Sequence, residues 1–175
     1  VMRGEETQVL GLPDGPYSGL VVTPGTHSKW VQVHSGHVMQ FQTFMTGEVF
    51  ALMSQHSILG KTLDLNGAFD EAIFLQGVDQ SQQSGSVLHH LFAVRTLGLF
   101  ERMSSTALPS YLSGLLIGEE LRTQAQLTGS NPVILIGSEA LTLRYTLALQ
   151  HLGISSQCRG SEATWAGLFA LACTC

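Results

Sequence analysis

Apolar and polar positions change rhythm twice along this chain. Runs rich in Val, Trp and Phe at Leu20 to Thr23, Trp30 to His34 and Val38 to Met45 predict three consecutive strands. In the third, Val38, Gln40, Gln42 and Phe44 alternate against Met39, Phe41, Thr43 and Met45, so both faces are partly apolar and cover is expected on at least one. Ser35-Gly36 supplies a tight hairpin turn, and the three runs read as an antiparallel meander. Ahead of them, Glu5 to Gly11 suits a short helix with acids in its first turn and a glycine at its end. Leu12 to Gly19 is Pro-Asp-Gly turn chemistry.

Beyond the meander the period lengthens to that of a helix. Gly47 to Leu59 carries Val49, Phe50, Leu52, Met53 and Ile58 near helical spacing, with Gly60 as its stop. Ala68 to Gly77 and Gly85 to Arg102 follow, and the polar stretch Gln76 to Gly85 between them reads as an exposed connection. A fourth helix is predicted from about Leu108 to Leu127. Gly114 and Gly118 lie four apart in it and cost helix propensity, which points to close approach of another backbone or a ligand. From Asn131-Pro132 the order is strand Val133 to Ile136, helix Leu141 to Leu152, strand Ile154 to Cys158 and helix Glu162 to Cys173. Such a βαβα order calls for parallel strands with crossover helices. A meander of three strands followed by helices and two parallel strands resembles the order of ribonuclease H-like α/β domains.

Composition narrows the partners more than the fold. The 175 residues fit a single domain, 1–175, with a sizeable core. The formal charge of −5, from 8 basic and 13 acidic residues without a block of either sign, argues against nonspecific nucleic-acid binding. No run reaches the apolar length of a membrane span and no signal peptide is recognised, so no membrane partner is expected. Cys158, Cys173 and Cys175 fit neither a zinc site nor a disulfide framework, and a reducing cytoplasm is the expected compartment. The opening, Val1 to Glu6, reads as the interior of a longer sequence.

Three stretches carry candidate chemistry. In VVTPGTHSKWVQV, Val21 to Val33, two strand runs flank a segment holding Gly25, Thr26, Ser28 and Lys29. Glycine backbone, two hydroxyls, an amide nest and a point charge suit a phosphate, although an ordinary hairpin turn meets the same description. Ile136-Gly137-Ser138 is a strand-to-helix turn of the kind that approaches a base or ribose, and equally a simple Gly-Ser helix cap. In Arg3-Gly4-Glu5-Glu6 a carboxylate beside a glycine, with an arginine near, suits a general base and an anion partner; an acidic helix start accounts for the same residues. Met45-Thr46-Gly47-Glu48 shares that ambiguity. His34 with His37, and His89 with His90, lack the one-face spacing of metal ligands, and no metal ligand is expected. Trp30 and Trp165 fall in apolar patterns and read as core.

The segments VMRGEETQ, PGTHSKWV, FMTGEVF, SGLLIGEEL and IGSEALTLRYTLAL, in order across nearly the whole chain, resemble the C-terminal half of 2-dehydro-3-deoxygalactonokinases, in the superfamily of sugar kinases, heat-shock proteins and actin. MRGEETQ with PGTHSKWV is specific to that family. The resemblance implies an actin-like ATPase lobe, with the N-terminal lobe of the kinase having no counterpart here, and ATP-dependent phosphorylation of the C6 hydroxyl of 2-dehydro-3-deoxy-D-galactonate with Mg²⁺ in galactonate catabolism. It also implies that Gly25, Thr26, Ser28 and Lys29 meet the β- and γ-phosphates and that Gly137 and Ser138 lie against adenosine. Gly114 and Gly118 would fall on the helix at the interdomain hinge. Glu5 would be the base, with Glu6 next and Arg3 a partner for substrate carboxylate or phosphate; related sugar kinases carry Asp where Gly4 is followed by Glu5. The competing expectation is an actin-like lobe that binds nucleotide or a partner without catalysis.

Overall fold

A computed structural model describes residues 1–12, 17–127, 131–160 and 162–173. Part of the turn expected from Leu12 to Gly19 lies outside the described residues, as does Cys175. In chain order the strands are β1 (Gly19–Thr23), β2 (Ser28–His34), β3 (His37–Phe44), β4 (Val133–Ile136) and β5 (Ser156–Arg159). The helices are α1 (Glu5–Leu10), α2 (Thr46–His56), α3 (Glu71–Gln82), α4 (Val87–Leu99), α5 (Leu108–Gln124), α6 (Glu139–His151) and α7 (Glu162–Ala172). They form two compact units: Val1–Phe44 with the described residues from Gln126 onward, and Met45–Ala125.

The first unit is built on a five-stranded sheet of order β3-β2-β1-β4-β5. β1, β2 and β3 pair antiparallel, whereas β4 pairs parallel with β1 and with β5. The meander turns at Ser35 and Gly36, whose φ values of 48° and 78° give the left-handed pair that a two-residue hairpin needs. Val21, Val31, Val33, Ile134 and Ile136 form one core cluster with Val9 of α1 and Ala163 of α7. Side chains of the other parity, Val22, Trp30, Val133 and Leu135, are equally buried, so the central strands have no polar face.

Helices α1 and α7 cross closely because glycine stands at the crossing on both. A Cβ on Gly11 would run into the Ala163 carbonyl, and one on Gly167 into the Thr7 carbonyl. Small residues therefore occupy the buried stripe of α7, and Trp165 falls on the opposite side at 71% exposure; it is not the core residue its apolar setting indicated. β3 also departs from expectation. It is the edge strand, paired only with β2, and all its residues but Phe44 are exposed.

The second unit is helical. Leu108, Leu112, Leu115 and Leu116 of α5 form its core with Leu59 and Val94. The α3–α5 contact dominates the unit and corrects two boundaries. α3 starts at a true cap, the Asp70 carboxylate accepting from the Ile73 N–H at 3.0 Å, and runs on to Gln82 through the stretch read as an exposed connection. Gly77, Val78 and Ser81 on that polar-looking stretch are buried, since Gly77 lets its backbone meet that of Tyr111 and Leu115. The matching glycines on α5 are Gly114, whose absent Cβ would overlap the Phe74 carbonyl, and Gly118, where it would meet Ser81. The close backbone approach expected at Gly114 is thus a helix–helix contact. α2 ends at His56, with Ser57 as its C-cap, ahead of Gly60, which sits within a single 3₁₀ turn, Leu59–Lys61.

Candidate functional site

The register of the first unit brings three chain segments to one end of the sheet. Thr23 pairs with Lys29 across the β1–β2 hairpin, and Val21 and Val22 pair with Ile134 and Leu135 of β4. The loop Pro24–His27 and the turn at Gly137 therefore emerge side by side beyond the carboxyl ends of two parallel strands, where open α/β sheets bind ligands. A Cβ on Gly137 would stand 3.3 Å from the Pro24 carbonyl oxygen, tighter than a side chain readily allows, so glycine lets these turns approach. α1, held by its glycine crossing with α7, closes a third side.

Together these segments line a cavity of about 810 Å³. Gly25, Thr26, His27 and Lys29 contribute from the hairpin, Gly137 from the β4 turn, and Arg3, Glu5 and Gln8 from the start of the chain. Arg3, Glu5, Gly25, Thr26, Lys29 and Gly137, scattered across the sequence, thus meet in one place. Gly25 is not in the left-handed region, and a Cβ there would meet nothing within 4 Å. The protein itself makes no demand for glycine at that position, whereas Gly4 has φ 113°.

That conformation at Gly4 starts α1 and shapes the carboxylates. Glu5 Oε2 accepts from the Arg3 N–H at 2.5 Å, and Glu6 Oε2 from the Gly4 N–H at 3.0 Å. The two acids then part. Glu6 is exposed and away from the cavity lining, whereas Glu5 Oε1 meets Lys29 Nζ at 2.7 Å. Lys29 is almost wholly buried and also donates to the His27 carbonyl at 3.3 Å. Partial burial pushes the Glu5 carboxyl upward, but hydrogen bonds from Lys29 and from the Arg3 and Glu5 N–H groups, with the Lys29 charge, outweigh it. Its pKa lies below the ordinary range, and Glu5 is a carboxylate at neutral pH.

Four expected residues lie elsewhere. Ser28 is fully buried at the start of β2, and Ser138 is exposed at the N-cap position of α6 without a side-chain capping bond; neither lines the cavity. Gly114 and Gly118 belong to the α3–α5 contact. Glu120, which no motif argument singled out, is 2% exposed and accepts from the Thr46 hydroxyl.

Thr23 was also missed, because a threonine closing a strand needs no functional account. Its Oγ1 is buried and has no hydrogen-bond partner among the described residues, yet the residue lines the cavity. An unsatisfied buried hydroxyl costs about 1–3 kcal/mol, and Val matches Thr in shape. Thr23→Val is expected to stabilise the ligand-free protein by about 1 kcal/mol, raising Tm by roughly 2–4 °C in thermal unfolding. A lowered Tm would show that the hydroxyl is already satisfied.

A meander continued by parallel strands, with a cavity where the strands and a glycine turn converge, defines a lobe of the actin-like ATPase fold. The chain belongs to the 2-keto-3-deoxy-galactonokinase family, whose model matches residues 1–171. It is 35% identical over 174 residues to the 2-dehydro-3-deoxygalactonokinase of Escherichia coli strain K12, covering 98% of this chain and 59% of the relative. It is 38% identical over 179 residues to the probable 2-dehydro-3-deoxygalactonokinase of Rhizobium meliloti strain 1021, covering 98% and 58%. The chain therefore spans about three fifths of the length of the relatives it matches. The crystal structure of a Sinorhizobium meliloti protein assigned as a 2-dehydro-3-deoxygalactonokinase superposes with TM-score 0.91 at 38% identity, covering 99% of this chain and 60% of that one. At 12% identity, the ADPNP-bound activator of the 2-hydroxyisocaproyl-CoA dehydratase from Clostridium difficile shares the fold, with TM-score 0.58 and 98% and 66% coverage.

Proposed function

We propose that residues 1–175 are the C-terminal, nucleotide-binding lobe of a two-lobed cytoplasmic kinase that transfers phosphate from ATP to the C6 hydroxyl of 2-dehydro-3-deoxy-D-galactonate in galactonate catabolism. The observation that carries this reading is the convergence of Glu5, Lys29 and the Pro24–His27 loop on one cavity, in a chain of that family. Gly25, Thr26 and Lys29 take the β- and γ-phosphates, and Gly137 lies against the nucleoside. Arg3 meets the carboxylate of the sugar acid or a phosphate. Gly114 and Gly118 keep the hinge role only through α5, which carries them. No described helix is long and apolar enough to cross a membrane, and Cys158 and Cys173 carry free thiols.

In the reaction the acceptor hydroxyl oxygen forms a bond to the γ-phosphorus while the bond from that phosphorus to the β–γ bridging oxygen breaks and ADP leaves. The hydroxyl proton passes to the Glu5 carboxylate, and the loop donors stabilise charge on the transferring group. Mg²⁺ bound to the nucleotide would supply further charge neutralisation. Among the described residues no three His, Cys, Asp or Glu converge, so these residues offer no cage for the metal. Closure of a second lobe over the cavity excludes water.

The two-lobed protein is expected to release ADP when given ATP and 2-dehydro-3-deoxy-D-galactonate in a coupled assay. No ADP release, together with no ATP-dependent rise in Tm, would favour a non-catalytic interaction lobe instead.

A further inference from the structure

The Lys29 ammonium serves two places at once. It lines the cavity under the Gly25–Thr26 loop, and it holds Glu5 Oε1 at 2.7 Å and the His27 carbonyl at 3.3 Å. An ammonium has three N–H donors, so those partners leave a third for a ligand. Glu5 is engaged at both oxygens, since Oε2 accepts from the Arg3 N–H. A carboxylate bound in this way is well oriented but a weak proton acceptor, because each bond favours its charged form.

Resting on the kinase reading above, we propose that Lys29 is the positioning residue of the Glu5 carboxylate and releases it to the acceptor hydroxyl when a nucleotide phosphate occupies the loop. A triphosphate carries more negative charge than a carboxylate and reaches the same ammonium, so the pair loosens as the phosphate binds. Glu5 stays oriented by the Arg3 N–H, regains basicity and becomes competent only once the phosphoryl donor is in place. The other ionisable groups around Glu5 do not supply this exchange. Arg3 and Glu6 belong to its own segment, and His27 lies in the loop. On α7, packed against α1, Glu162 is taken by the Gly160 N–H at 2.7 Å.

The test is a ¹³C NMR titration of the two-lobed protein labelled with [¹³C]glutamate, the Glu5 signal being assigned by its loss in Glu5→Gln. The Glu5 midpoint is expected to rise by about one pH unit in Lys29→Met or Lys29→Gln and to stay near wild type in Lys29→Arg. In wild type saturated with a non-hydrolysable ATP analogue it moves toward the Lys29→Met value. A midpoint unmoved in both neutral variants, or unmoved by nucleotide in wild type, overturns the proposal. Absence of any phosphorylated sugar acid from wild type overturns instead the kinase reading, and the titration distinguishes the two because it needs no turnover.

Discussion

Glu5→Gln is expected to lower kcat of the two-lobed protein by about 10²-fold or more while KM for ATP and the ATP-induced rise in Tm stay close to wild type. Glutamine keeps the shape of the side chain and one of the two oxygens that accept from Lys29 and the Arg3 N–H, but it cannot take a proton from the acceptor hydroxyl. The loss should therefore fall on the chemical step. Steady-state kinetics decide it, and an unchanged kcat would move the base to Glu6 or away from this segment. The pH dependence has a fixed sign. The Glu5 carboxyl is held below the ordinary glutamate value, so the carboxylate is fully formed at neutral pH. The stability of its ion pair with Lys29 is lost as pH falls through that lowered value, whereas activity is expected to fall through the higher value that Glu5 regains once Lys29 turns to the nucleotide phosphate.

Gly167→Ala is expected to have the second largest effect, although the residue is remote in sequence from every candidate site position. The added methyl would strike the Thr7 carbonyl of α1, which is backbone and cannot rotate away. Overpacking of this kind costs about 1–3 kcal/mol. The helix with least to hold it is α1, at six residues, so it is the element that shifts. Glu5 is its first residue, and a displacement of about an ångström at a reacting group costs on the order of 10²-fold in rate. Gly167→Ala should thus lower both Tm and kcat, whereas Gly153→Ala, at a site where a Cβ meets nothing within 4 Å, should leave kcat at wild type even if its positive φ costs stability. Equal kcat in Gly167→Ala and wild type would show that α1 does not depend on the crossing.

Much of this arrangement is legible in the chain, and what is not has identifiable causes. The meander and the two parallel strands follow from β-rich runs, a Ser-Gly turn and a βαβα order, signals that lie within a few residues of one another. The extension of α3 through Gly77 to Gln82 is not legible, because a polar surface with a glycine looks like a connection until α5 presents a backbone for it to meet. The exposure of Trp165 has the same origin: Gly11 and Ala163 make the small-residue side of α7 the buried one, against the usual ranking of side chains. At the site, residue types were readable but their pairing was not. Lys29 in a phosphate-like loop points to an anion, and only the fold shows that the nearest anion is Glu5, brought from 24 positions earlier in the chain. Thr23 carried no local signal at all, since its distinction is a buried hydroxyl without a partner among the described residues.

Phosphoryl transfer to a sugar acid is tested most directly by ³¹P NMR of the two-lobed protein incubated with ATP, Mg²⁺ and 2-dehydro-3-deoxy-D-galactonate. The predicted result is a new phosphomonoester signal, coupled to the C6 protons of the sugar acid, that grows in step with ADP and is absent with Glu5→Gln. ATP left intact, or ATP hydrolysed to inorganic phosphate with no sugar phosphate formed, would contradict it.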